Sequence, residues 1–192
     1  MADTYALFVP ECHADTALML TLLRENSENR ERLRDFISHR QGIGSVGKNM
    51  ECQPRDPKSP RRVLGLVDYD AKFYQQPYLA QFELHSGGLD RHRDTHAILR
   101  HPQYDTQFLI ALMPACDQWI LHRATESGLN PVDFRLPTTL KEFAAHCKTR
   151  DAEAATGSLR RLLAAIATAR PPAYAALADF VSQVMDLEKP LP

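Results

Sequence analysis

The sequence predicts an α/β fold: a mostly parallel sheet with helices on both faces, followed by a helical C-terminal extension. Three observations carry this expectation. Residues 5–9 (YALFV), 63–67 (VLGLV) and 108–113 (FLIALM) are short, almost unbroken apolar runs. Strands buried on both faces of a parallel sheet read this way. The first and third runs are each followed by a helical pattern, and beyond residue 130 the remaining elements all read as helices. The expected boundaries are 1–128 for the sheet domain and 129–192 for the extension.

Taken in order, Pro10 ends the first strand, and residues 14–23 (ADTALMLTLL) read as a helix with Asp15 in its first turn. Residues 27–36 read as a charged helix with Ser27 as N-cap, and 36–39 as a short edge strand. Residues 42–49 (GIGSVGKN) match the phosphate-loop pattern GxxxxGK, with Asn49 where Ser or Thr belongs. Such a loop needs a following helix. Pro54, Pro57 and Pro60 argue against one, so a flexible glycine loop is expected, with Lys48 within reach of a phosphate. Arg61 and Arg62 close a local basic stretch, either a backbone-binding surface or a solvated one. The segment 73–84 is amphipathic but broken by Pro77. His92 and His96 have the i,i+4 spacing of a helical metal pair. No Cys or HExxH glutamate accompanies them, so residues 85–101 read as a polar, partly exposed segment. After the third strand, 115–127 reads as a helix closed by Gly128. Residues 138–147, 157–169 and 172–187 read as the helices of the extension, joined across 148–156 by a loop or short turn.

Composition narrows the function classes. The 192 residues include 44% hydrophobic and 24% charged residues, and the net charge is −1. That is ordinary for a globular chain and gives no global field toward nucleic acid or membrane. No apolar run is long enough to span a bilayer, and the start lacks the pattern of a signal peptide. Four separated cysteines without CxxC point to a reducing cytoplasm.

The chemistry gathers at strand ends. Asp68 and Asp70 close the central strand, and Glu11 lies just past the first one. Open α/β sheets bind ligands at this edge. Carboxylates there suit a hard divalent cation, which takes one or two of them plus water and substrate phosphates. Asp is also a common turn residue, and an acid in a first helical turn suits the helix dipole. Asp15 and Asp117 therefore have a purely structural reading as well.

The order Glu11, Asp15, a glycine-containing stretch and a hydrophobic strand ending in Asp68-x-Asp70 resembles the Toprim domain. That domain is shared by topoisomerases, primases, recombination proteins and the overcoming-lysogenisation-defect nucleases. Asp15, four residues after the glutamate, resembles the ExxxD pattern of the nuclease branch. The segment 109–121 (LIALMPACDQWIL) is similar to one in small standalone Toprim proteins of bacterial defence loci, with Asp117 as an additional acid. The pattern departs from the family in Cys12-His13 after the glutamate and in the prolines after Gly47.

The resemblance implies a Rossmann-like sheet whose acids bind Mg²⁺ or Mn²⁺. Asp15, Asp68 and Asp70 would hold the metal. Glu11 would hold metal or act as general acid/base, and Lys72 or Lys48 would stabilise charge on the phosphate. The implied activity is metal-dependent phosphodiester hydrolysis by an effector subunit of an anti-phage defence system. Nucleic acid and a separate ATPase or sensor subunit are the expected partners, a homodimer is open, and no membrane is involved. The alternatives are a non-catalytic Toprim-like module that docks a partner, and a nucleotide-binding or small-phosphoester enzyme using the 42–48 loop.

Overall fold

The computed structural model describes residues 6–25, 37–39, 42–53, 62–154 and 156–186. A five-stranded open sheet has the order β1-β2-β5-β4-β3. Its strands are β1 (Ala6–Pro10), β2 (Arg62–Asp68), β3 (Glu83–Gly87), β4 (His96–Arg100) and β5 (Gln107–Leu112). β2 pairs in parallel with β1 on one side and β5 on the other. β4 and β3 add an antiparallel hairpin beyond β5. The sheet is therefore mixed, with a parallel centre. Residues 85–101, expected as a polar segment, contribute to both strands of that hairpin. His92 and His96 lie in its turn and at the start of β4, so no helix pairs them.

Alternation along the strands divides the core. Phe8, Leu64, Leu66, Phe108, Ile110 and Leu112 point to one face, where α1 (His13–Glu25), α3 (Cys116–Glu126), α5 (Ser158–Ala169) and α6 (Pro172–Met185) pack. Leu7, Val9, Val63, Val67, Leu109 and Ala111 point to the other. There α2 (Ile43–Glu51) packs, together with 3-10 turns at Phe73–Gln75 and Leu79–Gln81. Covering both faces explains why the central strands are apolar throughout. Among the described residues no helix is long and apolar enough to cross a membrane.

Two expectations are corrected here. The 42–49 stretch is not a flexible loop: Ile43–Glu51 is helical, with Ile43, Val46 and Met50 buried at helical spacing. The glycines serve packing. A Cβ on Gly47 would stand 3.3 Å from Leu79 Cγ, and one on Gly44 3.0 Å from Gln76 Oε1. The second correction concerns Arg62, expected as a substrate contact. It is buried at the N-terminal end of β2, and its Nη1 donates to the carbonyls of Gln183, Val184 and Asp186 (3.0, 3.2 and 2.7 Å). A cation at those orphan carbonyls completes the C-terminus of α6.

The C-terminal helices α4 (Leu140–Cys147), α5 and α6 form as expected, and α5 and α6 lie against α1. Arg160, buried on α5, donates to the Ala17 carbonyl at 2.7 Å. Beyond β1, Ile37 forms a parallel bridge with Phe8, as the expected edge strand requires. The charged helix of 27–36, Arg61 and the prolines at 54, 57 and 60 lie outside the described residues.

Candidate functional site

The parallel register of β1 and β2 sets Pro10 beside Leu66, so the residues just past both strand ends meet. The Glu11 N–H donates to the Leu66 carbonyl (3.0 Å), and Glu11 Oε2 accepts from the Asp68 N–H (3.3 Å). The convergence of Glu11 and Asp68 was inferred from strand adjacency alone, and it is present.

Both acids also face helix N-termini. The N-cap positions of α2 and α3 are Gly42 and Ala115, and neither supplies a capping side chain. Asp68 Oδ1 accepts from the Cys116 N–H at 2.7 Å, at the start of α3. The Ile43 N–H supports the Glu11 carboxylate at the start of α2, while the Gly42 N–H donates to the Glu11 carbonyl at 3.2 Å. Distant carboxylates thus satisfy donors that local caps leave open, and they sit at the positive ends of two helix dipoles.

Asp15 is fully buried beneath this edge. Its Oδ2 accepts from the Cys12 N–H at 2.9 Å, the reach-back of a third-position acid onto the N-cap donor. Among the described residues its Oδ1 meets no hydrogen-bond donor of normal geometry; the Cys116 and Cys12 thiols, weak donors, are its polar neighbours. Asp70 is half-buried and accepts from the Lys72 N–H at 2.7 Å in a local turn. Asp117 Oδ1 accepts from the adjacent Gln118 N–H at 2.7 Å.

Charge accumulates at this edge. Burial raises the Asp68 carboxyl to about 7, the Cys116 N–H opposes this, and Glu11, Asp117 and Asp70 push it further up. Burial also raises Glu11, as does the charge of Asp70, against the Asp68 and Ile43 N–H groups and the Lys72 ammonium. Asp15 is held well above the ordinary range by burial first and by Asp68 second. Burial likewise raises the Cys12 and Cys116 thiols, with Asp15 adding to it, so neither is a ready thiolate.

The expected cations divide. Lys72 is exposed and bears electrostatically on Glu11. Lys48 is exposed near the far end of α2, about 7 Å along the axis from Ile43. Arg62 stands about 20 Å along β2 from Asp68, held by α6.

The carboxylates at this edge are hard oxygen donors, as a divalent cation such as Mg²⁺ or Mn²⁺ requires. Surplus carboxylate charge, with one lysine nearby, fits a cation there. Among the described residues, no three of these carboxylates bring an oxygen each within 4.8 Å of one another. Water and phosphate oxygens would therefore complete the coordination, which is how Mg²⁺ is usually held. The group that does converge so closely is His13, His39 and Glu153. No local signal marks it, because its members are 26 to 140 positions apart in the chain.

Neither the protein-family models, nor the curated proteins, nor the solved structures contain a match to this chain.

Proposed function

We propose that this chain is a metal-dependent phosphodiesterase of the Toprim type, acting on nucleic acid. The observation that carries the reading is the meeting of Glu11, Asp15, Asp68 and Asp70 at the C-terminal edge of two adjacent parallel strands. Their carboxyl groups are crowded enough that Glu11, Asp15 and Asp68 hold protons more tightly than usual. A divalent cation relieves that crowding. When bound, it polarises the phosphate, generates hydroxide and stabilises the leaving oxygen.

The chain's own residues divide the remaining work. Glu11 and Asp70 would hold the cation, and Asp70 is oriented by the bond it accepts from the Lys72 N–H. Asp68 is fixed by the Cys116 N–H, beside the two carboxylates that would hold the cation. Asp15 holds the α1 terminus in place beneath them by accepting from the Cys12 N–H. Lys72 is free to turn toward a phosphate and balance charge building on its oxygens. The same resemblance supports a role as an effector in anti-phage defence, with a separate ATPase or sensor subunit.

The test compares wild type with Glu11→Gln/Asp70→Asn. Mn²⁺ and Mg²⁺ binding is measured by calorimetry, and cleavage of single- and double-stranded DNA and RNA is measured with each metal. The reading expects metal-dependent cleavage in wild type, reduced about a hundredfold or more in the folded double variant. Undiminished cleavage, or none with any substrate and metal, overturns it. A second reading rests on the capping bonds of Glu11 and Asp68: the acids terminate helices in a non-catalytic docking module. Full biological activity of the folded double variant would favour that reading.

A further inference from the structure

A second cluster lies on the α1 face, built from three distant parts of the chain. His13 is the first residue of α1, and Glu153 ends a 3-10 turn at Arg150–Glu153. His39 follows the Ile37 bridge, where the Ser38 N–H donates to the Phe8 carbonyl at 2.8 Å. The Nδ1 atoms of both imidazoles meet the same oxygen, Oε1 of Glu153, with His39 at 3.0 Å and His13 in direct contact. The two rings lie 4.6 Å apart, tilted by 38°. All three ligand atoms fall within 4.8 Å of one another. The side chains are 19–24% exposed, so the cluster is sheltered but open on one side. A cavity of about 170 Å³ adjoins it, lined by Thr16, Leu20, Ile37, His39 and Glu153.

From these residues we infer that His13, His39 and Glu153 form a binding site for a first-row transition-metal dication, with its fourth position facing the cavity.

The donor chemistry decides the class of ion. Two imidazole nitrogens and one carboxylate oxygen form a borderline set that Zn²⁺ and its neighbours take, whereas Mg²⁺ prefers oxygen alone. Metal–ligand distances of about 2.0–2.2 Å at tetrahedral angles put ligand atoms about 3.4 Å apart. The 3.0 Å contact between His39 and Glu153 is within half an ångström of that spacing. Both imidazoles already aim a nitrogen at one carboxylate oxygen, and a bound ion would sit between the three donors as they move apart. Thr16 Oγ1 donates to the Cys12 carbonyl at 2.9 Å and lies 2.8 Å from the same His39 Nδ1, so an ion bound there takes the place of that hydrogen bond. Three protein ligands and an open fourth position match sites that hold an exchangeable water rather than closed structural ones. The inference does not depend on the reading of the carboxylate edge.

The experiment uses the full chain, stripped by a chelator and titrated calorimetrically with Zn²⁺. One equivalent is expected to bind, and to bind at least about tenfold more weakly in folded His39→Ala and Glu153→Gln. Zn²⁺ affinity equal to wild type in both folded variants, or no binding to wild type, reduces the cluster to a hydrogen-bonded one and overturns the inference. Should the variants fail to fold, Co²⁺ is added to wild type instead. The strong visible absorption of four- or five-coordinate Co²⁺ without a thiolate charge-transfer band supports the site. A thiolate band, or only the weak absorption of hydrated Co²⁺, overturns it.

Discussion

Replacing Asp68 with Asn should stabilise the metal-free protein, and the gain should grow with pH. The Asp68 carboxyl titrates at about 7 in the folded chain, against an ordinary value of 3.8. Burial is the main cause, and the surrounding acids Glu11, Asp117 and Asp70 add to it. The folded chain therefore binds this proton more tightly than the unfolded chain does. The stability it contributes is fully present below the unfolded value and is lost as pH rises from about 4 to about 7. At about 1.4 kcal/mol per pH unit, the ceiling is about 4 kcal/mol. Partial hydration of Asp68 and proton sharing with Asp15 and Glu11 reduce the expected gain to about 1–3 kcal/mol. Asparagine keeps the acceptor for the Cys116 N–H, 2.7 Å away in the wild type, and carries no charge. The assay is urea unfolding followed by circular dichroism, in chelator, at steps from about pH 4 to about pH 8. The wild type should lose stability more steeply than Asp68→Asn over that range. Parallel curves, or a variant less stable than wild type at the alkaline end, would refute the crowding of charge at this edge.

Two further perturbations test the packing that holds the site. Gly65→Ala places a Cβ 2.6 Å from Leu109 Cδ1 and 2.7 Å from Met50 Sδ, between β5 and α2. It should cost about 1–3 kcal/mol by overpacking, read as a lower urea midpoint with unchanged slope. Arg62→Met removes the donor to three carbonyls at the end of α6, and should cost about 2–4 kcal/mol. Amide exchange should then speed up in α6 before it does in β5; uniform acceleration would show that Arg62 has no local role at that helix end.

Much of the architecture was legible because apolar periodicity is a local property. β1, β2 and β5 are continuous apolar runs since both faces of the central sheet are covered, and α3 to α6 carry apolar positions at helical spacing. The edge hairpin was not legible. β3 (ELHSG) is exposed along its whole length, so no buried face imprints a period on it. The helix over 43–51 was misread because its glycines and the prolines that follow suggest a loop. The glycines are there for Leu79 and Gln76, residues that only tertiary packing brings near. The acids Glu11, Asp68 and Asp70 were legible as strand-end residues. The helix-terminal role of Glu11 and Asp68 was not, because their N–H partners belong to α2 and α3.

The sequence by itself determined which segments become central strands and that carboxylates stand at their ends, since hydrophobic pattern and strand termination are written in neighbouring residues. Tertiary structure alone decided what those carboxylates meet and how they titrate. It brought Glu11 against the Asp68 N–H, buried Asp15 under both, assigned Arg62 to a helix end, and joined His13, His39 and Glu153. Charge crowding, desolvation and ligand geometry depend on distances through space, and residues separated by up to 140 positions acquire them only when the chain has packed.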